Sequence, residues 1–240
     1  HVKRLGQDTI VAVATAVLSG APLDFEIIAD ESAETIQAWV RDLCERLQVE
    51  VLVSDDADAL KTVADELGLE HQLCRAHVNR NVHALIGALG TQALEHPDPV
   101  PDRSGLTVAQ LLDDLQQLEE IIKGLPYDGQ SQLDHLAERY QTAPPPSAGH
   151  KASMWYRLRL LTLDWSENWS RLARFQHWRG THGERLDGTN NVTEQIIGQR
   201  VKERYRTMRG YKRDASILNV SSLIGWIGMQ GPDYNLGELI

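Results

Sequence analysis

The pattern that most constrains this chain is a strand–helix–strand unit with carboxylates at its turning point. Val49–Val53 (VEVLV) is a short apolar run suited to a buried parallel strand. Ser54-Asp55-Asp56-Ala57-Asp58 follows directly. Ala59–Leu67 then carries a helical pattern, Gly68 closes it, and Leu69–Leu73 is a second short strand. Upstream, Thr9–Leu18 (TIVAVATAVL) is rich in β-branched residues, Ser19-Gly20-Ala21-Pro22 breaks it, and Leu23–Ala29 resumes as a strand. Val2, ahead of a Leu5-Gly6-Gln7-Asp8 turn, is the tail of an earlier strand pairing with Thr9–Leu18. Asp30-Glu31-Ser32 opens a helix to about Leu47, with Ile36, Trp39, Val40, Leu43 and Leu47 on one face. The expected fold is α/β, with a mixed sheet and flanking helices.

From about Asn79 the pattern turns wholly helical. Thr107–Lys123 is amphipathic through Val108, Leu111, Leu112, Leu115, Leu118 and Ile122, and Ser131–Gln141 is a shorter helix. Thr142–Ser153 holds three consecutive prolines and is a linker. Met154–Trp178 is expected to be helical, with Trp155, Trp165 and Trp169 forming an all-α core. A loop, Gly180–Gly188, leads to a long basic helix from about Asn191 to Met208, which Gly210 ends, and Asp214–Ile227 is a last apolar helix. The expected organisation is a first core segment at 1–82, an all-α insertion at 83–180 and C-terminal core helices at 181–240.

A net charge of −10 argues against polyanion binding by the molecule as a whole. Its distribution argues for a local site. Residues 151–240 hold 14 Lys+Arg against 9 Asp+Glu, while the first 150 hold 10 against 25. No run approaches the roughly 18 apolar residues of a membrane span, and the N-terminus has no signal-peptide pattern. The chain begins without methionine and in mid-pattern, as expected of a piece of a longer protein. Cys44 and Cys74 sit in separate elements, which fits a reducing cytosol.

Three groups could carry chemistry. Asp55 and Asp56 stand at a strand end, where open α/β sheets place ligands. Clustered carboxylates there suit a divalent cation, and either aspartate could instead N-cap the next helix. His71, Cys74 and His77 have a His-x-x-Cys-x-x-His spacing, but zinc needs about four such ligands. Cys74 is better read as core and His77 as a polar anchor. Asn191 and Glu194 match a capping box, and Glu194 could equally be a metal-binding carboxylate on a first helical turn. Beyond it lie Arg200, Lys202, Arg204, Arg206, Arg209, Lys212 and Arg213 against Glu203 alone, a density that suits phosphate contacts.

Two blocks carry a resemblance. LVSDDADALKTVADELGLEHQLCRAHVNRNV resembles the second-aspartate block of Mutator-like insertion-sequence transposases through Asp55, Cys74, His77, Arg80 and Asn81. TNNVTEQIIGQRVKERYRTMRGYK resembles their catalytic-glutamate block, at Glu194. The resemblance spans roughly residues 9–213 and implies an RNase H-like fold and a DNA transposase. In such an enzyme a carboxylate triad holds two Mg²⁺ or Mn²⁺ ions for phosphodiester cleavage and strand transfer. It implies Asp55 and Glu194 as metal ligands and His77 as a third catalytic residue. It further implies DNA contacts by Arg200, Lys202, Arg204, Arg206, Arg209 and Lys212, oligomers on transposon ends, and a prokaryotic cytoplasmic, nucleoid-associated location. Its first aspartate belongs on the first strand, of which only the tail is present; Asp8 sits in the expected turn, and Asp24 and Asp30 in later elements. A domesticated, inactive DNA-binding relative is the alternative. A nucleotide-binding domain ranks last, because no GxxxxGK[ST] loop occurs.

Overall fold

The structure is a computed structural model that describes residues 2–4, 7–101, 104–195 and 212–229. Its strands are β1 (Val2–Arg4), β2 (Gln7–Thr15), β3 (Pro22–Ile28), β4 (Val51–Ser54) and β5 (Glu70–Leu73). Helices α1 (Ala33–Arg46) and α2 (Asp58–Glu66) lie among them. A helical stretch follows: α3 (Arg75–Glu95), α4 (Val108–Gly124), α5 (Gly129–Arg139), α6 (Met154–Glu167), α7 (Trp169–Leu172) and α8 (Arg174–His177). The chain closes with α9 (Asn191–Gln195) and α10 (Asp214–Met229). It divides into two compact units, His1–Cys74 with Trp178–Ile240, and Arg75–His177. No described helix is long and apolar enough to cross a membrane.

In the first unit, β1, β2 and β3 form an antiparallel sheet in that order. β1 meets β2 at Val2↔Thr9, Lys3↔Asp8 and Arg4↔Gln7. Asp8 therefore lies within a strand and not in the expected turn. The β2–β3 turn closes through Ala16 N–H to Ala21 C=O at 2.8 Å, with Gly20 at φ +70°. Pro22 takes the first position of β3, where its missing N–H costs no ladder bond. The inward residues of this sheet, Val11, Val13, Phe25 and Ile27, pack with Ile217, Leu218 and Val220 of α10. Burying Phe25 and Ile217 contributes roughly 1.5–3 kcal/mol each.

Ser32 caps α1 by accepting from Thr35 N–H at 3.3 Å. Asp30 Oδ1 takes bonds from Ser32 and Thr35 in turn, and these hold its carboxyl below the usual range. Trp39 Nε1 donates to Asp24 Oδ2 at 2.8 Å and ties α1 to β3, so Asp24 serves a structural contact. β4 and β5 pair in parallel from Val51↔Glu70 to Ser54↔Leu73, with α2 as the crossover. Gly68, at φ +64°, ends α2 as its sequence position implies. The described strands form two small sheets, one antiparallel and one parallel, where one mixed sheet was expected. No described strand bridges the β2 and β4 edges.

The second unit is wholly helical. Thr107 and Gln110 form a reciprocal capping box at the start of α4. Leu111, Leu118 and Ile122 of that helix are buried, as are Leu133 of α5 and Met154, Trp155 and Leu158 of α6. Trp155 stacks on Tyr140 with centroids 6.3 Å apart, and its Nε1 donates to Pro99 C=O at 3.1 Å. Trp165 and Trp169 are buried too. The continuous helix expected over Met154–Trp178 is broken into three. Asn168, the residue between α6 and α7, bonds to Asp164 C=O through both its backbone N–H, at 3.0 Å, and its Nδ2, at 2.9 Å.

Candidate functional site

The site is built in the first unit around a groove of about 600 Å³. One wall is the edge of β2, from Val13 to Thr15, with the turn residues that follow. The other is β4, from Val51 to Ser54, and α1 contributes Trp39, Val40 and Leu43. Walls of Val, Leu and Trp make most of the groove apolar. Its polar lining includes Asp55, Asn190 and Thr193, beside Thr15, Ser54 and Thr189, with Gln48 and Glu50 also along it.

Asp55 is delivered by β4, one residue beyond the last ladder pair, Ser54↔Leu73. Its Oδ1 is buried and has no hydrogen-bond partner among the described residues. Neither Asp55 nor Asp56 caps α2. The cap position belongs to Ala57, which has no side chain able to do so. Asp56 Oδ1 instead meets Lys61 Nζ at 2.7 Å, an ion pair out of line for a hydrogen bond. Lys61 also reaches the exposed Asp58 at 3.4 Å. The two neighbouring aspartates thus differ: Asp56 is paired with a lysine, and Asp55 Oδ1 has no partner among the described residues.

The chain returns to this place through the segment leading into α9. The Arg179↔Arg185 bridge shapes a short hairpin, and Thr181 Oγ1 anchors it on Glu50 Oε1 at 2.7 Å. Asn190 N–H donates to the buried Cys74 Sγ at 3.4 Å, and Asn190 C=O accepts from Glu194 N–H at 3.1 Å. The N-cap is therefore Asn190 and not Asn191, so Glu194 stands one position past that of a capping box. Thr193 Oγ1 lies 2.5 Å from Thr15 Oγ1, docking this first turn on the end of β2. Asn190 Oδ1, like Asp55 Oδ1, is buried without a partner among the described residues. Leaving such an acceptor dry costs about 1–3 kcal/mol, and more when it is charged. Two of them in one groove suit a cation or a hydrogen-bond donor as occupant.

Glu194 itself is exposed, one residue beyond Thr193. No group of three or more His, Cys, Asp or Glu stands at metal-binding distance among the described residues. Asp55 fits a ligand role by its unpartnered oxygen, whereas the Lys61 pair argues against Asp56 as a ligand. His77 falls on the first turn of α3, in the helical unit. His71 and Cys74 are both buried, and they bond to Ser54 and to Asn190 respectively, so the His-x-x-Cys-x-x-His spacing is used for packing. Lys212 is exposed just before α10, while Arg200, Lys202, Arg204, Arg206 and Arg209 lie outside the described residues.

Asn190, Ser54 and Thr15 were not singled out from the sequence. For Ser54 there was a usable signal, a hydroxyl at a strand end beside a carboxylate. Asn190 had none, because its neighbours come from distant parts of the chain. No family model, no curated protein and no solved structure matches the chain.

Proposed function

We infer that the chain is part of the catalytic domain of a DNA transposase, with an RNase H-like fold, and that it cleaves phosphodiesters and transfers strands with Mg²⁺ or Mn²⁺. The observation that carries this reading is the groove's polar end. There a strand-end aspartate whose buried Oδ1 has no partner among the described residues lines the groove together with Asn190 and Thr193, from the turn that leads into Glu194. In this reading Asp55 and Glu194 hold the metal. When bound, the metal supplies Lewis-acid activation of water and of a 3′-hydroxyl and stabilises the leaving oxygen.

The groove's shape supports the same reading. Both long walls are strand edges. DNA is the proposed partner, held through the basic residues of the C-terminal third, with oligomers forming on it. Phosphate contacts of that kind position DNA and read no bases.

The test is Mn²⁺ binding followed by electron paramagnetic resonance, with nicking of supercoiled plasmid as a second readout. Wild type is expected to bind Mn²⁺. Asp55→Asn and Glu194→Gln are each expected to weaken binding beyond the roughly 10-fold that loss of a supporting group costs. Equal affinity in all three proteins overturns the metal site. Metal binding that depends on both residues, without any nicking, favours the inactive DNA-binding relative.

A further inference from the structure

Asp55 lies one residue past the last ladder pair, and two bonds fix the backbone there. Cys74 N–H donates to Ser54 C=O at 2.6 Å. Ser54 Oγ–H donates to Asp55 C=O at 2.9 Å. That hydroxyl is itself held, because Ser54 Oγ and His71 Nε2 are 2.8 Å apart, with Ser54 6% and His71 4% exposed. The sheet explains the meeting. His71 lies opposite Leu52, and Ser54 is two residues further along the same face, so the two are diagonal neighbours.

A hydroxyl has one hydrogen. If it goes to the Asp55 carbonyl, the Ser54 oxygen can only accept at His71, and Nε2 must carry the ring proton. The opposite arrangement, hydroxyl to ring nitrogen, leaves the Asp55 carbonyl without its donor. Buried polar groups settle in the arrangement that satisfies both contacts.

We propose that His71 is a positioning residue for Asp55: with a ring proton on Nε2 it donates to Ser54, Ser54 donates to the Asp55 carbonyl, and the relay fixes the backbone that carries the Asp55 carboxylate. Its catalytic consequence rests on the metal reading above; the relay itself does not. A ligand carboxylate needs its backbone fixed as well as its charge present, in the way that outer groups orient metal ligands.

The experiment uses the full chain with Ser54→Ala, His71→Leu and His71→Gln, whose amide nitrogen can stand where Nε2 stands. ¹⁵N-edited NMR of the wild type should show His71 with its proton on Nε2. Amide exchange at Asp55–Ala57 should quicken in S54A and H71L and stay at the wild-type rate in H71Q. Mn²⁺ affinity should fall by about 10-fold in S54A and H71L and return to within about threefold of wild type in H71Q. A His71 ring with no proton on Nε2, or wild-type exchange rates in H71L, overturns the relay whatever the metal does. Mn²⁺ affinity that D55N lowers and H71L leaves unchanged overturns the positioning role. Mn²⁺ affinity unchanged even in D55N removes the metal reading alone, and the tautomer and exchange rates then still decide the relay.

Discussion

At Asp55 the price of function should be visible in stability. Its Oδ1 is buried with no partner among the described residues, and a charged acceptor left dry is costlier than a neutral one. Asp55→Asn removes the charge at nearly constant shape. In EDTA the variant should melt at or above the wild-type Tm, with unfolding free energy raised by up to about 1 kcal/mol. Added Mn²⁺ should raise the Tm of wild type and leave that of the variant unmoved. A variant that melts well below wild type in EDTA would show that the oxygen is already satisfied. In the helical unit Asp114 is the contrasting case, a buried carboxylate that is fully engaged. It accepts from Tyr140 Oη at 2.7 Å and from Arg139 Nη1 at 2.5 Å. Burial, followed by the hydrogen bond and the charge of Asp114, pushes the Tyr140 phenol well above its ordinary range, and Arg139 opposes this only in part. Below about pH 10 the phenol is protonated in both folded and unfolded chains, and its contribution is fully present. Above that pH the unfolded chain ionises first, so stability is lost as pH rises. Urea midpoints measured at about pH 8 and about pH 11 should fall more in wild type than in Tyr140→Phe, since the unfolded-state phenol titrates near 10.

At the scale of elements, helical glycines give a test of packing whose sign differs by position. Replacing a glycine in an exposed helix interior by alanine ordinarily stabilises by roughly 0.5–1 kcal/mol. Gly87 of α3 has nothing within 4 Å of an added Cβ, and Gly87→Ala should show that gain. At Gly129, which opens α5, an added Cβ would sit 2.1 Å from Trp169 Cη2. There Gly129→Ala should cost about 1–3 kcal/mol, because the buried indole must move. Chemical denaturation of the two variants checks both signs, and a stabilised G129A would mean that α5 and Trp169 are not in contact. The same elements mark what could be read locally. The α1 face of Trp39, Val40 and Leu43, its start after Ser32 and the start of α4 at Thr107 were legible, because their determinants lie within one or two helical turns. The end of α6 and the N-cap of α9 were not. Asn168 adds a side-chain bond to the Asp164 carbonyl, and Asn190 is fixed by Cys74, more than a hundred residues away. Tertiary partners, and not propensity, decide such boundaries.

Across the whole molecule, the candidate site is legible where a single strand delivers it, at Asp55 on the end of β4. The Ser54–His71 contact and the Asn190 oxygen depend on which strand lies beside which and on where the chain returns, and no local pattern states either. The separation of α/β from all-α sequence, by contrast, follows from hydrophobic periods of two and 3.6 residues, which change near residue 79. The structure draws a boundary at Cys74 and Arg75, where β5 ends and α3 begins, and a second between His177 and Trp178. Arg75–His177 holds a core of its own: Leu118, Leu133, Tyr140 and Trp155 are each 0% exposed, which is what an independently stable unit requires. Expressed alone, residues 75–177 should fold, giving a helical far-ultraviolet spectrum and one cooperative thermal transition. The emission of Trp155, Trp165 and Trp169 should be that of buried indoles and should shift to the red through the same transition. A non-cooperative melt, or exposed-indole emission at low temperature, would show that the helical core depends on the α/β unit for its stability and that the boundary at Cys74 is one of contacts only.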